Sequence, residues 1–286
     1  MQGLLSECRC ALAEQLGREG VGGAILLLAE GGVAGGKCPL FSCVVPVKGG
    51  RPYLAEALAS LRAQGMGNDL EVIIQDGDVE PDGGQSDAFN KGFAKANGAW
   101  FFWLNADDIL LPGALAKVKG CIDRLRSERP GNPPVWIAGN EWFIDANGKT
   151  VGCSIGTDWH DGLYRHAVPH VNGPSSFFRR ELFAQVGGFD TALRFCMDWD
   201  LWIRFMHQGA RFERISDFLW AQRRWMGSKT QKRLSACDAQ IQDEEIRAML
   251  AKNRFSVTKG GVLKLRLWKL FRGYYLKEML CGRSRA

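Results

Sequence analysis

The sequence has no CxxC pair, no block of like charge and no apolar run long enough to cross a bilayer. Each absence removes a class of protein. Without CxxC spacing there is no zinc ribbon or finger, and nine scattered cysteines, an odd number, read as reduced thiols of a cytoplasmic protein. Without a stripe of Lys and Arg, a net charge of +6 suits nucleotides or a membrane surface, and no nucleic acid is expected as a partner. The apolar stretch Ala24 to Ala29 is far too short to span a membrane. The acidic residues and glycines around it do not read as a signal peptide.

What is present is a chain of 286 residues, 46% apolar and 24% charged, enough for one large α/β unit with appendages or for two small domains. Ten tryptophans are many for this length; core packing is their expected use, ahead of lining a pocket. Residues 1–38 read as an N-terminal extension, with a helical pattern over Leu4–Leu16 and a glycine-rich run Gly31–Gly36. Residues 39–231 carry the regular patterning, and 232–286 read as a helical tail.

In the middle segment, apolar β-rich runs alternate with helical periodicity. Strands are expected at Phe41–Pro46, Glu71–Gln75, Trp100–Leu104 and Val135–Ala138. Between them, Leu54, Leu58 and Leu61 mark one helix and Gln85–Ala96 another. Pro112 is placed to open a third at its first position, with Leu115, Val118, Ile122 and Leu125 facing the core. The alternation predicts an α/β fold, a single mostly parallel Rossmann-like sheet flanked by helices, whose ligand crevice lies beyond the carboxyl ends of its strands. Pro46, Asp76 and Asn105-Ala106-Asp107-Asp108 all fall at such ends. Further on, helices are expected at Arg180–Val186 and around Asp198–His207, with polar and aromatic loops between and after them. In the tail, Val262–Leu280 reads as one basic amphipathic helix: Leu263, Leu267, Leu270, Phe271 and Tyr274 lie to one side, Arg266, Lys269, Arg272 and Lys277 mostly opposite. It fits peripheral contact with an anionic membrane face, or packing back on the protein.

Three acidic constellations carry candidate chemistry. The apolar run Trp100–Leu104 ends abruptly in Asp107 and Asp108. Two carboxylates there read either as a polar turn before Pro112 or as ligands of a hard cation, Mg²⁺ or Mn²⁺, that also takes phosphate oxygens. Asp76-Gly77-Asp78, followed by Glu80-Pro81-Asp82-Gly83-Gly84, is either a solvated acidic loop or a surface where glycines admit a ligand and Asp76 accepts from a nucleobase. Asp198, at the start of a helix among aromatics, is either a cap or a general base for an incoming hydroxyl. Arg223, Arg224 and Lys229 offer charge for a diphosphate, or form a solvated basic loop.

In order along the chain, these runs resemble a family 2 glycosyltransferase of the GT-A fold. The resemblance rests on Phe41–Pro46, Gln75-Asp76-Gly77, the stretch from Glu80 through Asp82, Asn90 and Lys91 to Gly92, and Leu104–Asp108. It continues through His170–Arg180, with Ser175 and Ser176, then Val186–Asp190, Met197–Trp202 and Gly227-Ser228-Lys229-Thr230. It implies an inverting transfer of a sugar from a nucleotide-sugar donor to the hydroxyl of a carbohydrate or lipid-linked acceptor, in cell-envelope or exopolysaccharide biosynthesis. It also implies roles: Asp76 on the base, Asp107 on the metal, Asp198 as catalytic base, and Ser175 and Ser176 beneath the acceptor. Asn105 stands where the family's Asp-x-Asp motif has its first acid, so Asp107 is left as the main ligand. Two other classes stay open: a sugar nucleotidyltransferase using Val47–Pro52 as a triphosphate loop, and a binding protein without catalysis.

Overall fold

The computed structural model describes residues 25–27, 38–49, 52–128, 135–160, 171, 173–228 and 236–283. Nine strands form one sheet in the order β1-β3-β2-β4-β8-β6-β9-β5, with β7 paired to β6. They are β1 Ile25–Leu27, β2 Phe41–Val47, β3 Leu70–Asp76, β4 Trp100–Trp103, β5 Ile109–Leu110, β6 Val135–Ile144, β7 Thr150–Ser154, β8 Ser176–Arg179 and β9 Arg211–Arg223. β3, β2, β4, β6 and β9 run one way; β1, β8, β5 and β7 run against them. The sheet is therefore mostly parallel in direction, but an antiparallel strand, β8, separates its two parallel blocks.

The helices are α1 Leu54–Arg62, α2 Gln85–Ala94, α3 Ala114–Glu128, α4 Arg180–Gln185, α5 Met197–His207, α6 Ala236–Lys252, α7 Lys259–Phe271 and α8 Tyr274–Arg283. Alternation along β2 explains the layering. Phe41, Cys43, Val45 and Val47 turn to one face, where Leu54, Leu58 and Leu61 of α1 and Leu115, Val118 and Ile122 of α3 cover them. Val44 turns to the other, beneath Phe89 and Phe93 of α2 and Leu201, Trp202 and Phe205 of α5. The tryptophans serve mainly this second core: Trp136 and Trp202 stack at 4.5 Å with 12° between their planes, and Trp103 lies 6.0 Å from Trp202. Each such pair contributes ~0.5–1.5 kcal/mol beyond its buried area.

The structure departs from the sequence reading in five places. Part of the 1–38 extension is ordered strand: Ile25–Leu27 pairs antiparallel with β3 at the sheet edge. The third helix begins at Ala114, not at Pro112, because Gly113 has φ +73° inside a turn that the amide of Ala114 closes on the Leu111 carbonyl. The segment before that turn is β5, paired with β9. The expected loops after α5 contain β9, thirteen residues long, and β7 likewise had no periodicity to announce it. Finally, the single tail helix is two, α7 and α8, broken at Gly273, where φ is +71°.

Candidate active site

The strand ends open on a cleft of about 740 Å³. Pro46, Lys48, Asp82, Gln85, Asn105, Asp107, Asp108, Glu141, Asp198, Arg223 and Trp225 are among the residues that line it. A volume of this order is typical of pockets that enclose small organic ligands.

One wall comes from the end of β2 and the loop that follows β3, and Asp76 itself is not among the residues that line the cleft. Asp76 is buried at the end of β3, and its Oδ1 accepts from the amide of Asp78 at 3.0 Å. Gly77 is required where it stands: a Cβ there would lie 2.2 Å from Asp82 Oδ2. Asp82 is thereby seated, with Lys48 Nζ at 3.5 Å and the amide of Gly84 at 3.1 Å from its Oδ1.

The floor is the turn between β4 and β5. Asn105 donates to Asp108 Oδ2 at 2.8 Å and accepts from Gln85 at 3.3 Å. Asp108 is buried, and its Oδ1 accepts the amide of Arg223 at 2.9 Å. Burial, with the charge of Asp107 beside it, pushes the Asp108 carboxyl up to about 8 despite those hydrogen bonds. Asp107 is more open, and Trp225 Nε1 donates to its Oδ2 at 2.8 Å. Asp107 and Asp108 thus divide the work: Asp108 closes the turn from inside, and Asp107 faces the cleft.

Arg223 explains why the turn holds. Its Nε donates to the carbonyl of Asp107 at 3.0 Å, and its Nη1 to those of Asp145 and Ala146 at 3.3 and 3.2 Å. Its Nη2 pairs with buried Glu56, and the guanidinium lies 4.2 Å from the centre of the Tyr53 ring. The expected diphosphate contact from Arg223 is thus replaced by an internal one: a guanidinium 1% exposed, spent on three carbonyls and a carboxylate, ties β9 to the acidic turn. Lys229 lies outside the described residues, as do His170 and Asn172.

The opposite wall is the start of α5. Asp198 lines the cleft and its Oδ1 accepts from the amide of Trp199 at 2.9 Å. Asp200, two residues on, points into the core instead. It is fully buried, accepting from Arg204 Nε at 2.7 Å and Asn253 Nδ2 at 3.2 Å. Gly173 makes room beside Asp198; a Cβ there would meet the Trp103 ring at 2.6 Å and Asp198 Oδ2 at 3.4 Å.

Several expected site residues are not at the cleft. Asn90 spends its amide on the backbone of Phe189, donating at 2.9 Å and accepting at 2.8 Å, which locks α2 to the Gly187-Gly188 turn. Lys91 donates to the Pro81 carbonyl at 2.6 Å and pairs with Asp87 at 3.1 Å. Ser175 is buried and donates to the Gly139 carbonyl at 3.1 Å, and Ser176 is buried in β8. In their place stand residues that patterning did not single out. Trp225 is one. Glu141, on β6, is another: it lines the cleft, is 5% exposed, and is pushed up to about 8 by burial first and Asp108 second, with Arg224 opposing. Its only sequence signal was an acid in the middle of an apolar strand, which costs free energy unless it has a use.

No three His, Cys, Asp or Glu side chains converge as a metal cage among the described residues. The donor chemistry fits a different arrangement. One carboxylate, Asp107, with Asn105 beside it, could hold Mg²⁺ or Mn²⁺ provided that diphosphate and water complete the shell.

The fold is of the GT-A type. Residues 79–187 match the model of glycosyl transferase family 2. It is 24% identical over 191 residues to an uncharacterized glycosyltransferase of Rickettsia prowazekii, covering 58% of each chain. It is 27% identical over 190 residues to a PGL/p-HBAD biosynthesis glycosyltransferase of Mycobacterium bovis, covering 58% of this chain and 69% of that one. Against two other rickettsial glycosyltransferases it spans only 32% and 35% of their length. Among solved structures, TarS 1-349 of S. aureus in complex with UDP-GlcNAc superposes with a TM-score of 0.55 at 15% identity, over 73% of this chain and 65% of that one.

Proposed function

We propose that this chain is an inverting glycosyltransferase, moving a sugar from a nucleotide-sugar donor to an acceptor hydroxyl. One observation carries the reading: Asp107 and Asp198, from a strand-end turn and a helix start, line the same cleft and are partly open, while their acidic neighbours Asp108 and Asp200 are buried. Two carboxylates with separate surroundings suit two tasks. Asp198 accepts the acceptor's proton as its oxygen bonds to the anomeric carbon. The bond from that carbon to the donor phosphate breaks, its electron pair leaves with the nucleoside diphosphate, and attack from the opposite face inverts the centre. Asp107 and Asn105 would hold Mg²⁺ or Mn²⁺, which when bound neutralises charge on the diphosphate.

The structure bound to UDP-GlcNAc shares this fold, which supports a nucleotide sugar as the donor class. Asp76 and Asp82 are assigned to the base and ribose side of the donor, and a carbohydrate or lipid-linked acceptor belongs to the Asp198 side. Cell-envelope or exopolysaccharide assembly is the setting that these substrates fit.

The test is a panel of UDP-, GDP- and dTDP-sugars with Mn²⁺ or Mg²⁺, assayed for binding and for released nucleoside diphosphate. Asp198→Asn is expected to lose transfer while keeping donor affinity. Pyrophosphate as the product, or unchanged turnover in Asp198→Asn, overturns the reading.

A further inference from the structure

We infer that α7 and α8 form a docking surface for an anionic lipid bilayer. It deepens the lipid-linked-acceptor reading above and names the face that would bring the chain to such an acceptor.

The helix pair is held down on one side only. Trp268 packs 5.4 Å from Tyr274, whose hydroxyl donates to Asp158 Oδ2 at 3.0 Å, and Asp158 in turn pairs with Arg214 at 2.8 Å. Glu278 accepts the amide of Ile155 at 3.2 Å, and Gly261 and Lys269 are buried. These contacts fix which way α7 faces. The opposite stripe, at i, i+4, i+7 and i+8, is Leu263, Leu267, Leu270 and Phe271, exposed by 57%, 44%, 58% and 85%. α8 continues it with Leu276 and Met279, 53% and 46% exposed. A helix packed on a soluble protein normally turns such a stripe inward; here the apolar side is the outer one.

Charge identifies the occupant. Lys264 and Arg266, both exposed, flank the apolar stripe on its two sides, and Lys259, Arg272 and Lys277 extend the basic rim. From Lys259 to Arg283 there are seven basic residues and one acid, Glu278, which is turned inward. That surplus of six equals the net charge of the whole chain, +6, so the remainder of the sequence is balanced and the positive charge is concentrated here. An apolar strip between cationic rims matches the acyl boundary and the anionic headgroups of a membrane surface. No helix among the described residues is long and apolar enough to cross a membrane, so the contact is one of lying on the surface.

The experiment is flotation of the purified chain with phosphatidylcholine vesicles, with and without about one-third phosphatidylglycerol. Binding is expected with the anionic vesicles and is expected to fall as salt is raised. Lys264→Glu with Arg266→Glu is expected to weaken it by roughly fivefold or more per site. Leu267→Asp with Phe271→Asp, both at exposed positions, is expected to abolish it with an unchanged thermal midpoint. Absence of binding to anionic vesicles overturns the inference. So does self-association that the same Leu267→Asp, Phe271→Asp variant abolishes, since the face would then join two copies. Nucleotide-sugar binding, measured in parallel without vesicles, reports on the catalytic reading separately.

Discussion

The indole Nε1 of Trp225 donates to Asp107 Oδ2 over 2.8 Å, although 118 residues separate the two. The more open carboxylate of the acidic turn is therefore oriented by the segment that follows β9, and Arg223 anchors that segment to the same turn. The ring of Trp225 is fixed in its own right, edge-on to Tyr53 at 5.3 Å.

Trp225→Phe keeps that ring contact and removes the donor. Groups that orient a metal-binding side chain typically contribute about tenfold or more to affinity, so divalent-dependent nucleotide binding is expected to weaken by about tenfold with little loss of stability. Calorimetric titration with Mn²⁺ and a nucleoside diphosphate measures it. Unchanged affinity would detach Trp225 from the site.

Gly227→Ala acts on the same contact from behind. A Cβ at Gly227 would stand 2.0 Å from the Trp225 ring, so the indole must move. The binding loss is expected to resemble that of Trp225→Phe, and the double variant should lose little more than either alone. Fully additive losses in the double-mutant cycle would show two independent effects.

Arg223→Met is expected to destabilise the fold by ~3–5 kcal/mol, because it removes the guanidinium that pairs with buried Glu56 and serves three carbonyls. Urea unfolding reads the loss. Adding Glu56→Gln should recover part of it, and a variant as stable as the parent would restore Arg223 to the pool of free diphosphate ligands.

Glu141 gives stability a pH dependence of known sign. Its native carboxyl, pushed up to about 8, holds a proton that the unfolded chain releases at ordinary carboxylate pH. Unfolding in between therefore releases a proton, and rising pH favours it. The stability this proton brings is complete below the unfolded value and is lost as pH rises through about 8. Glu141→Gln should make the thermal midpoint fall less steeply between about pH 5 and 9, with Asp108, also pushed up to about 8, supplying much of the slope that remains. A parallel curve for parent and variant would refute the assignment.

Gly92 lets α2 sit on β2. A Cβ there would approach Val44 Cγ1 to 2.5 Å inside the core, so Gly92→Ala is expected to destabilise by ~1–3 kcal/mol. Val44→Ala in the same chain should relieve part of the strain; a Gly92→Ala chain with the parent's midpoint would show that α2 can lift without cost.

The first half of the fold was legible because its signals are local. β2, β3, β4 and the helices between them follow from period-2 and period-3.6 patterning within a few residues of the observed ends. So did the cleft, since Pro46, Asn105 and Asp107 stand at strand ends. The second half was less legible. β9 alternates poorly because only Leu219, Trp220, Ala221 and Arg223 along it are buried, and in β7 only Ser154 is buried. Such strands are defined by partners far along the chain.

The same division holds for the site. Sequence by itself determined which residue types were present: an apolar strand ending in acids, a helix opening on acids, glycines between them, and a basic, apolar tail. It could not rank identical side chains. That Asp107 faces the cleft while Asp108 is buried, and that Arg223 is a brace, were decided by burial and by partners more than a hundred residues away; that Asp200 turns inward to Arg204 and Asn253 while Asp198 lines the cleft was decided by how α5 packs. Tertiary structure also turned the tail outward. Periodicity drew an apolar side and a basic side, but only packing of Trp268 and Tyr274 settled that the apolar side meets solvent. A carboxylate's role depends on its desolvation and its neighbours, and those exist only once the chain has folded.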